Sequence, residues 1–459
     1  MSVKWTDEQQ QVIDLRNRNI LVSAAAGSGK TAVLVERIFS MLTDPKKPLD
    51  MDGLLVVTFT NAAAAEMKER VEERLLAGLE QNPDSTLLQK HLASIHNAQI
   101  TTIHSFCLYV IRNHFNEIDL DPSFRIGEET ELKLLKGDIV SRVLEQYYEE
   151  KPAGFTDFIE CFSGGKTDTG IEDLILKVYE YSRSYPWPKR WLEKCLECFN
   201  VQTVASMEAL PALKFLGEYL KILSNELYES LKEALALCRE ADGPVFYDAA
   251  IESDLKFVAA LLECTTLSQY EQVFKTLSFP ALSRKKMPDV SEEKKNRVKN
   301  IREFVKKTLQ EIQSSYFYTD METMAKDIYH MRPVMEILVS LVTDFSRQYQ
   351  QAKEEKNMVD FGDLEHYALQ ILVRDQDGVL TPTDAALQLS RQFDEIMIDE
   401  YQDSNQVQET ILTSVSRTGE GRPNIFMVGD VKQSIYKFRL ARPELFMEKY
   451  KIYQDISLG

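Results

Sequence analysis

Residues 24–31 read AAAGSGKT, and their types and spacing suit one kind of chemistry. Ala24, Ala25, Ala26, Gly27, Ser28 and Gly29 are small enough for backbone N–H groups to close on phosphate oxygens. Lys30 would reach a β/γ-phosphate, and the Thr31 hydroxyl would hold Mg2+. Ala24 stands where a glycine usually opens this pattern. A second candidate run, IMIDEYQD, occupies residues 396–403. Magnesium-dependent NTP hydrolysis needs carboxylates at a strand's carboxyl end, with Asp399 near the metal and Glu400 polarising the attacking water. Taken singly, the first run is a loose pattern with chance matches and the second is an ordinary solvated acidic turn. Both in one sheet point to an ATPase that uses ATP and Mg2+.

The elements that would position these groups are legible as hydrophobic runs. NILVSA (19–24), GLLVVTFT (53–60), FDEIMIDE (393–400) and NIFMVGD (424–430) are short aliphatic stretches. Each ends in a polar or glycine-bearing turn and leads into a helical pattern, which predicts buried parallel strands of an α/β sheet. Two fall before residue 61 and two after residue 392. Between them, 128–355 is rich in Leu, Glu, Lys and Tyr at helical spacing, punctuated by loops such as SGGKTDTG and SYPWPKRW. The expected architecture is a discontinuous α/β domain, 1–127 and 356–459, interrupted by a mostly helical insert at 128–355.

Further segments are more specific than a generic ATPase requires. In order they are WTDEQQQVI (5–13), TFTNAAAAEMKERV (58–71), TTIHSFC (101–107), VDFGDL (359–364), DEYQDSNQVQ (399–408) and VGDVKQSIYKFR (428–439). Together with the phosphate loop they resemble the first half of superfamily 1A DNA helicases of the UvrD/PcrA/Rep/RecB group, and most closely the AddA-type helicase–nucleases. The resemblance implies a RecA-like P-loop fold (domain 1A) with a helical 1B insert. It implies that Gln9 reads adenine N6 and N7, favouring ATP over GTP, and that Gln433 senses the γ-phosphate beside Lys30, Asp399 and Glu400. It places Phe59, Thr60, Asn61, His104, Tyr436, Phe438 and Arg439 on a single-strand DNA path. Phe438 stands where tryptophan is common, Ala32 where arginine is frequent and Ala62 where lysine is frequent. Phe59 could instead end its strand inside the core, His104 could merely support its loop, and VDFGDL could pin the insert to the sheet.

By the same resemblance the protein is an ATP-driven 3′→5′ helicase and exonuclease that resects double-strand breaks, bound to single-stranded and duplex DNA and to an AddB-like partner protein. A second motor domain and a nuclease domain would lie beyond residue 459, and residues 1–459 alone are expected to turn over ATP poorly without arginines from that second domain. The alternatives are a stand-alone repair helicase and a non-catalytic DNA- or protein-binding module.

Composition narrows the class. The 459-residue chain carries a net charge of −18, which excludes a protein that coats nucleic acid by bulk charge but not a local groove. The basic stretch Ser283–Lys307 is either a solvated helix face or a phosphate-tracking surface. Six cysteines without paired CxxC spacing suit reduced thiols in the cytoplasm, and Cys195 and Cys198 form a lone pair suited to packing or, less simply, to a metal. No apolar run is long enough to span a membrane.

Overall fold

The computed structural model describes residues 4–25, 27–164, 167–285, 287–376, 378–434 and 440–455. The described strands are β1 (Ile20–Ser23), β2 (Leu54–Thr58), β3 (Gln99–Thr102), β4 (Arg125–Ile126), β5 (Met358–Val359), β6 (Val373–Gln376), β7 (Val379–Pro382), β8 (Glu395–Ile398) and β9 (Ile425–Gly429). Five of them form one sheet in the order β1-β9-β8-β2-β3, with every neighbouring pair parallel. The four hydrophobic runs become β1, β2, β8 and β9. The fifth strand, β3, is QITT, half polar and too short to announce itself by pattern.

The side chains explain why the runs are nearly unbroken. Leu54, Val56, Met397, Phe426 and Val428 point to one face, against Leu34 and Ile38 of helix α2 (Lys30–Leu42) and Met67 and Val71 of α3 (Asn61–Gln81). Leu55, Val57, Ile396, Ile398, Ile425 and Met427 point to the other, against a second cluster that includes Phe106 and Val110. Both faces are covered, so alternate residues are apolar for different reasons and the strand reads as continuous.

Register then sets the site. Ser23 lies opposite Gly429, Ile398 opposite Val57 and Thr58 opposite Thr102. All five strands therefore end at one edge of the sheet. The chain leaves that sheet after β3 and rejoins it only at Glu395, placing β8 between β2 and β9.

Two compact units divide the chain. The sheet lies in the unit made of 1–152, 162–191 and 340–459; the other comprises 153–161 and 192–339. The helical stretch expected as one insert at 128–355 is thus shared between the units. Its flanks stay with the sheet because they carry their own core there. Tyr179 packs edge-on against Phe345 at 5.0 Å and Tyr349 at 6.0 Å, and the Tyr147 hydroxyl donates to Asp344 at 2.8 Å.

The second unit has its own apolar core, including Leu227, Leu231, Ile251, Val258, Phe274, Val305 and Leu309. Its basic stretch resolves in favour of a solvated helix face. On the helix Glu292–Tyr316, Lys294 pairs with Glu240 and Asp242, Lys295 with Glu292, Arg297 with Glu233 and Arg302 with the buried Asp254. Cations already matched by carboxylates have little to offer phosphates. Cys195 and Cys198 are free thiols, Cys195 on the helix Pro188–Glu197 and Cys198 just after it, and no metal-holding cluster of His, Cys, Asp or Glu occurs among the described residues. No helix among them is long and apolar enough to cross a membrane.

Candidate functional site

The loop between β1 and α2 takes the shape its composition allows. Gly27 and Gly29 have φ of 75° and 81°, a left-handed conformation that side chains with a Cβ rarely adopt. Ala24 N–H donates to the Gly429 carbonyl at 3.1 Å, anchoring the loop's start on β9. Helix α2 then begins at Lys30, so its free N–H groups and positive dipole end face the loop. Gly27, Ser28 and Gly29 are exposed, and Ala26 lies outside the described residues.

Helix α1 (Asp7–Asp14) brings Gln9 to this loop. Thr6 and Gln9 form a reciprocal cap: Gln9 N–H donates to Thr6 Oγ1, and Thr6 N–H donates to Gln9 Oε1 at 3.0 Å. Gln9 Nε2 also donates to the Ser28 carbonyl at 3.1 Å. An amide has two donor hydrogens and two acceptor lone pairs, so one of each remains for a base edge. The far end of α1 is held by Arg37, fully buried, whose Nη1 donates to the carbonyls of Val12 and Leu15 at 2.6 Å each. Arg37 Nη2 bonds Glu395 at 2.6 Å, at the start of β8. A buried arginine thus clamps α1, α2 and β8 together.

The end of β8 supplies the acidic half. Lys30 Nζ lies 3.3 Å from Glu400 Oε2 and 3.5 Å from Oε1, so residues 370 apart in sequence meet across the strand ends. Glu400 adopts φ 51°, ψ 45°, a left-handed backbone unusual for a residue with a side chain and characteristic of sites whose surroundings over-determine them. Its N–H donates to Asp399 Oδ1 at 3.0 Å. Burial, then the neighbouring Glu400 charge, push the Asp399 carboxyl up to about 6. A buried carboxylate whose charge is poorly compensated, together with the Thr31 hydroxyl at the head of α2, is a donor set that fits a hard divalent cation held jointly by phosphate oxygens and water.

Gln433 closes the short turn after β9, where its Nε2 donates to Asp430 Oδ2 at 2.7 Å. That bond, followed by the Lys432 N–H, draws the Asp430 carboxyl below its usual range. Tyr436, Phe438 and Arg439 lie outside the described residues.

The other candidates converge on a cavity of about 710 Å³ along the same sheet edge, lined among others by Phe59, Thr60, Asn61 and His104. Phe59 follows β2 and is half-buried, outside the sheet core. The Thr60 hydroxyl accepts the Ala63 N–H at 3.1 Å and so caps α3, leaving Asn61 as its first residue. His104 lies in the first turn of the helix Ile103–His114, with Nε2 3.2 Å from Glu365 Oε1. Glu365 is buried; burial alone would raise its carboxyl, but the bonds from His104 and Gln408 hold it low.

VDFGDL both pins and lines. Asp360 caps the helix Phe361–Leu372 and, with Asp363, binds the fully buried Lys353; Arg183 bonds Asp363 at 3.0 Å. Phe361, 55% exposed, sits on the cavity wall with its ring 5.1 Å from that of His104. Sequence reasoning passed over Phe361, Gln402, Asp430 and Glu365. An aromatic between two helix-capping aspartates was the available signal for the first, since a cap forces the next side chain outward. No pattern marked the others.

A protein-family model for the UvrD/REP helicase N-terminal domain matches residues 5–454. The chain belongs to the UvrD/REP helicase family. As a UvrD/REP-type helicase domain it is also similar to proteins named as the AddA-type component of an ATP-dependent helicase/nuclease. That of Lachnoclostridium phytofermentans is 51% identical over 454 residues, covering 98% of this chain and 33% of the relative. That of Clostridium beijerinckii is 44% identical over 463 residues, covering 100% and 37%, and that of Acetivibrio thermocellus 42% over 457 residues, covering 98% and 36%. The UvrD/REP-type chain thus spans about a third of the length of the curated relatives it matches.

Proposed function

We propose that this UvrD/REP-type domain is the ATP-binding half of a DNA motor, with a RecA-like P-loop core and a helical 1B-type insert. Phosphates are held by the backbone of residues 24–29 and by Lys30, adenine is read by Gln9, and Mg2+ is held by Thr31 and Asp399. Bound there, the metal supplies charge to phosphate oxygens. Glu400 orients and polarises the attacking water, and Gln433 reports the state of the γ-phosphate. A single strand runs past Phe59, Thr60, Asn61, His104 and Phe361, with Tyr436, Phe438 and Arg439 continuing the path.

The observation that carries this reading is the Lys30–Glu400 pair at 3.3 Å on the same sheet edge as the cavity lined by Phe59, Asn61 and His104. Without nucleotide, each ion neutralises the other. Phosphate entering the loop draws Lys30 away and releases Glu400 toward water, so the catalytic carboxylate becomes available only when there is something to hydrolyse. The names of the relatives support a wider role: a 3′→5′ helicase and exonuclease in the cytoplasm, paired with an AddB-like protein, that resects double-strand breaks for recombinational repair.

The test is Lys30→Ala, assayed by fluorescence titration with a labelled ATP analogue and Mg2+ and, separately, with an oligothymidylate. Loss of a charge-assisted bond worth about 1.5–3 kcal/mol should weaken nucleotide binding by about tenfold or more. Oligothymidylate binding should change far less. Equal nucleotide affinity in both proteins would remove the phosphate-loop assignment.

A further inference from the structure

Gln402 is 1% exposed and sits between the two halves of the site just described. Its Nε2 donates to Glu400 Oε2 at 2.9 Å and to Asp403 Oδ2 at 3.2 Å, and its Oε1 accepts the Asp430 N–H at 2.9 Å. Both donor hydrogens are spent on carboxylates and the oxygen on a backbone amide. Rotating the amide by half a turn would set its oxygen against two carboxylates and its NH2 against an N–H. One orientation is therefore imposed.

Space imposes the same answer. A Cβ placed on Gly429 would fall on Gln402 Oε1 and lie 3.2 Å from the Tyr401 nitrogen. Glycine at 429 is thus required by the amide of Gln402, quite apart from any demand of the phosphate loop.

The three partners lead in different directions. Glu400 is bonded to Lys30. Asp430 accepts from Gln433 at 2.7 Å. Asp403 lines the cavity with Phe59, Asn61 and His104 and accepts from Ser434 Oγ at 3.2 Å. One buried amide therefore lies one hydrogen bond from the hydrolytic carboxylate, one from the turn after β9 and one from the cavity wall.

We propose that Gln402 is a positioning residue that makes the placement of Glu400 depend on the occupancy of the cavity, and so couples nucleotide to single-strand binding. This rests on the assignment of the two sites under Proposed function. When nucleotide draws Lys30 from Glu400, the bond from Gln402 remains to orient that carboxylate. A strand that shifts Asp403 turns the amide, and the turn reaches Glu400 and Asp430 together. Coupling is reciprocal, so the same contact makes nucleotide alter strand affinity.

The test uses the full 459-residue chain. Gln402→Met keeps the length and burial of the side chain but removes its hydrogen bonds; Gly429→Ala leaves Gln402 in place but displaces its amide. Oligothymidylate affinity is measured by anisotropy with and without a non-hydrolysable ATP analogue and Mg2+, and thermal midpoints are recorded alongside. The wild type should show a linkage factor on the order of fivefold or more. Both variants should bring that factor close to one, a larger change than in either affinity taken singly. A merely structural role would lower the thermal midpoint and both affinities together while keeping the factor, and that result overturns the proposal. So does a wild-type factor of one. Failure of the wild type to bind the analogue at all would instead strike the nucleotide-site assignment.

Discussion

Replacing Asp399 by asparagine should stabilise the nucleotide-free protein. Burial and the adjacent Glu400 raise the carboxyl from 3.8 to about 6. Between those values the folded state binds the proton and the unfolded state does not. Stability therefore falls as pH rises through that window, and the deficit persists unchanged above it. A shift of roughly two units, at about 1.36 kcal/mol each, sets an upper bound near 3 kcal/mol. Local relaxation and water reduce this, leaving about 1–2 kcal/mol.

The amide keeps the shape and still accepts the Glu400 N–H that now donates to Oδ1 at 3.0 Å. At about 2 °C per kcal/mol for a unit of this size, Asp399→Asn should melt about 2–4 °C higher than wild type at pH 7.5 in EDTA. The difference should shrink through pH 6 and vanish near pH 4. With Mg2+ and an ATP analogue the order should reverse, because the cation compensates the charge only in the wild type and bound ligand adds its own stabilisation. Thermal melts at four pH values, with and without ligand, measure all of this. A variant less stable than wild type at pH 7.5 in EDTA would refute the picture of an under-compensated buried carboxylate.

Two further outcomes follow from the same structure. Arg37→Met leaves Glu395 buried without its 2.6 Å partner and frees the carbonyls at the end of α1. It should cost about 3–5 kcal/mol in denaturant unfolding, as breaking one side of a buried pair does. Phe361→Ala removes an exposed ring from the cavity wall and should weaken oligothymidylate binding by roughly 1–3 kcal/mol, the range for loss of one base stack, with nucleotide affinity unchanged.

Much of this protein could be read from local patterns. The aliphatic runs that became β1, β2, β8 and β9 are legible because a strand covered on both faces must be apolar at nearly every position. The phosphate loop is legible because glycine tolerates φ of 75° and 81° at positions 27 and 29 and lets backbone N–H groups approach an anion. The strand QITT was invisible, since four half-polar residues carry too little periodicity. The boundary of the helical stretch was equally hidden, because helices that pack on the sheet-bearing unit and helices that build the other core have the same spacing.

Tertiary structure alone decided which of these residues meet. Parallel pairing brings five strand ends to one edge, and only there does Lys30 face Glu400 across 370 positions of sequence. It also placed the neutral, short-range connectors. Gln402 carries no charge and no periodicity, and Gly429 could have been any turn glycine. Their roles come from an amide oxygen occupying the space a side chain at 429 would need, a fact of packing between two strands. Sequence sets the chemistry a residue can perform; the register of the sheet sets the partner it performs it with.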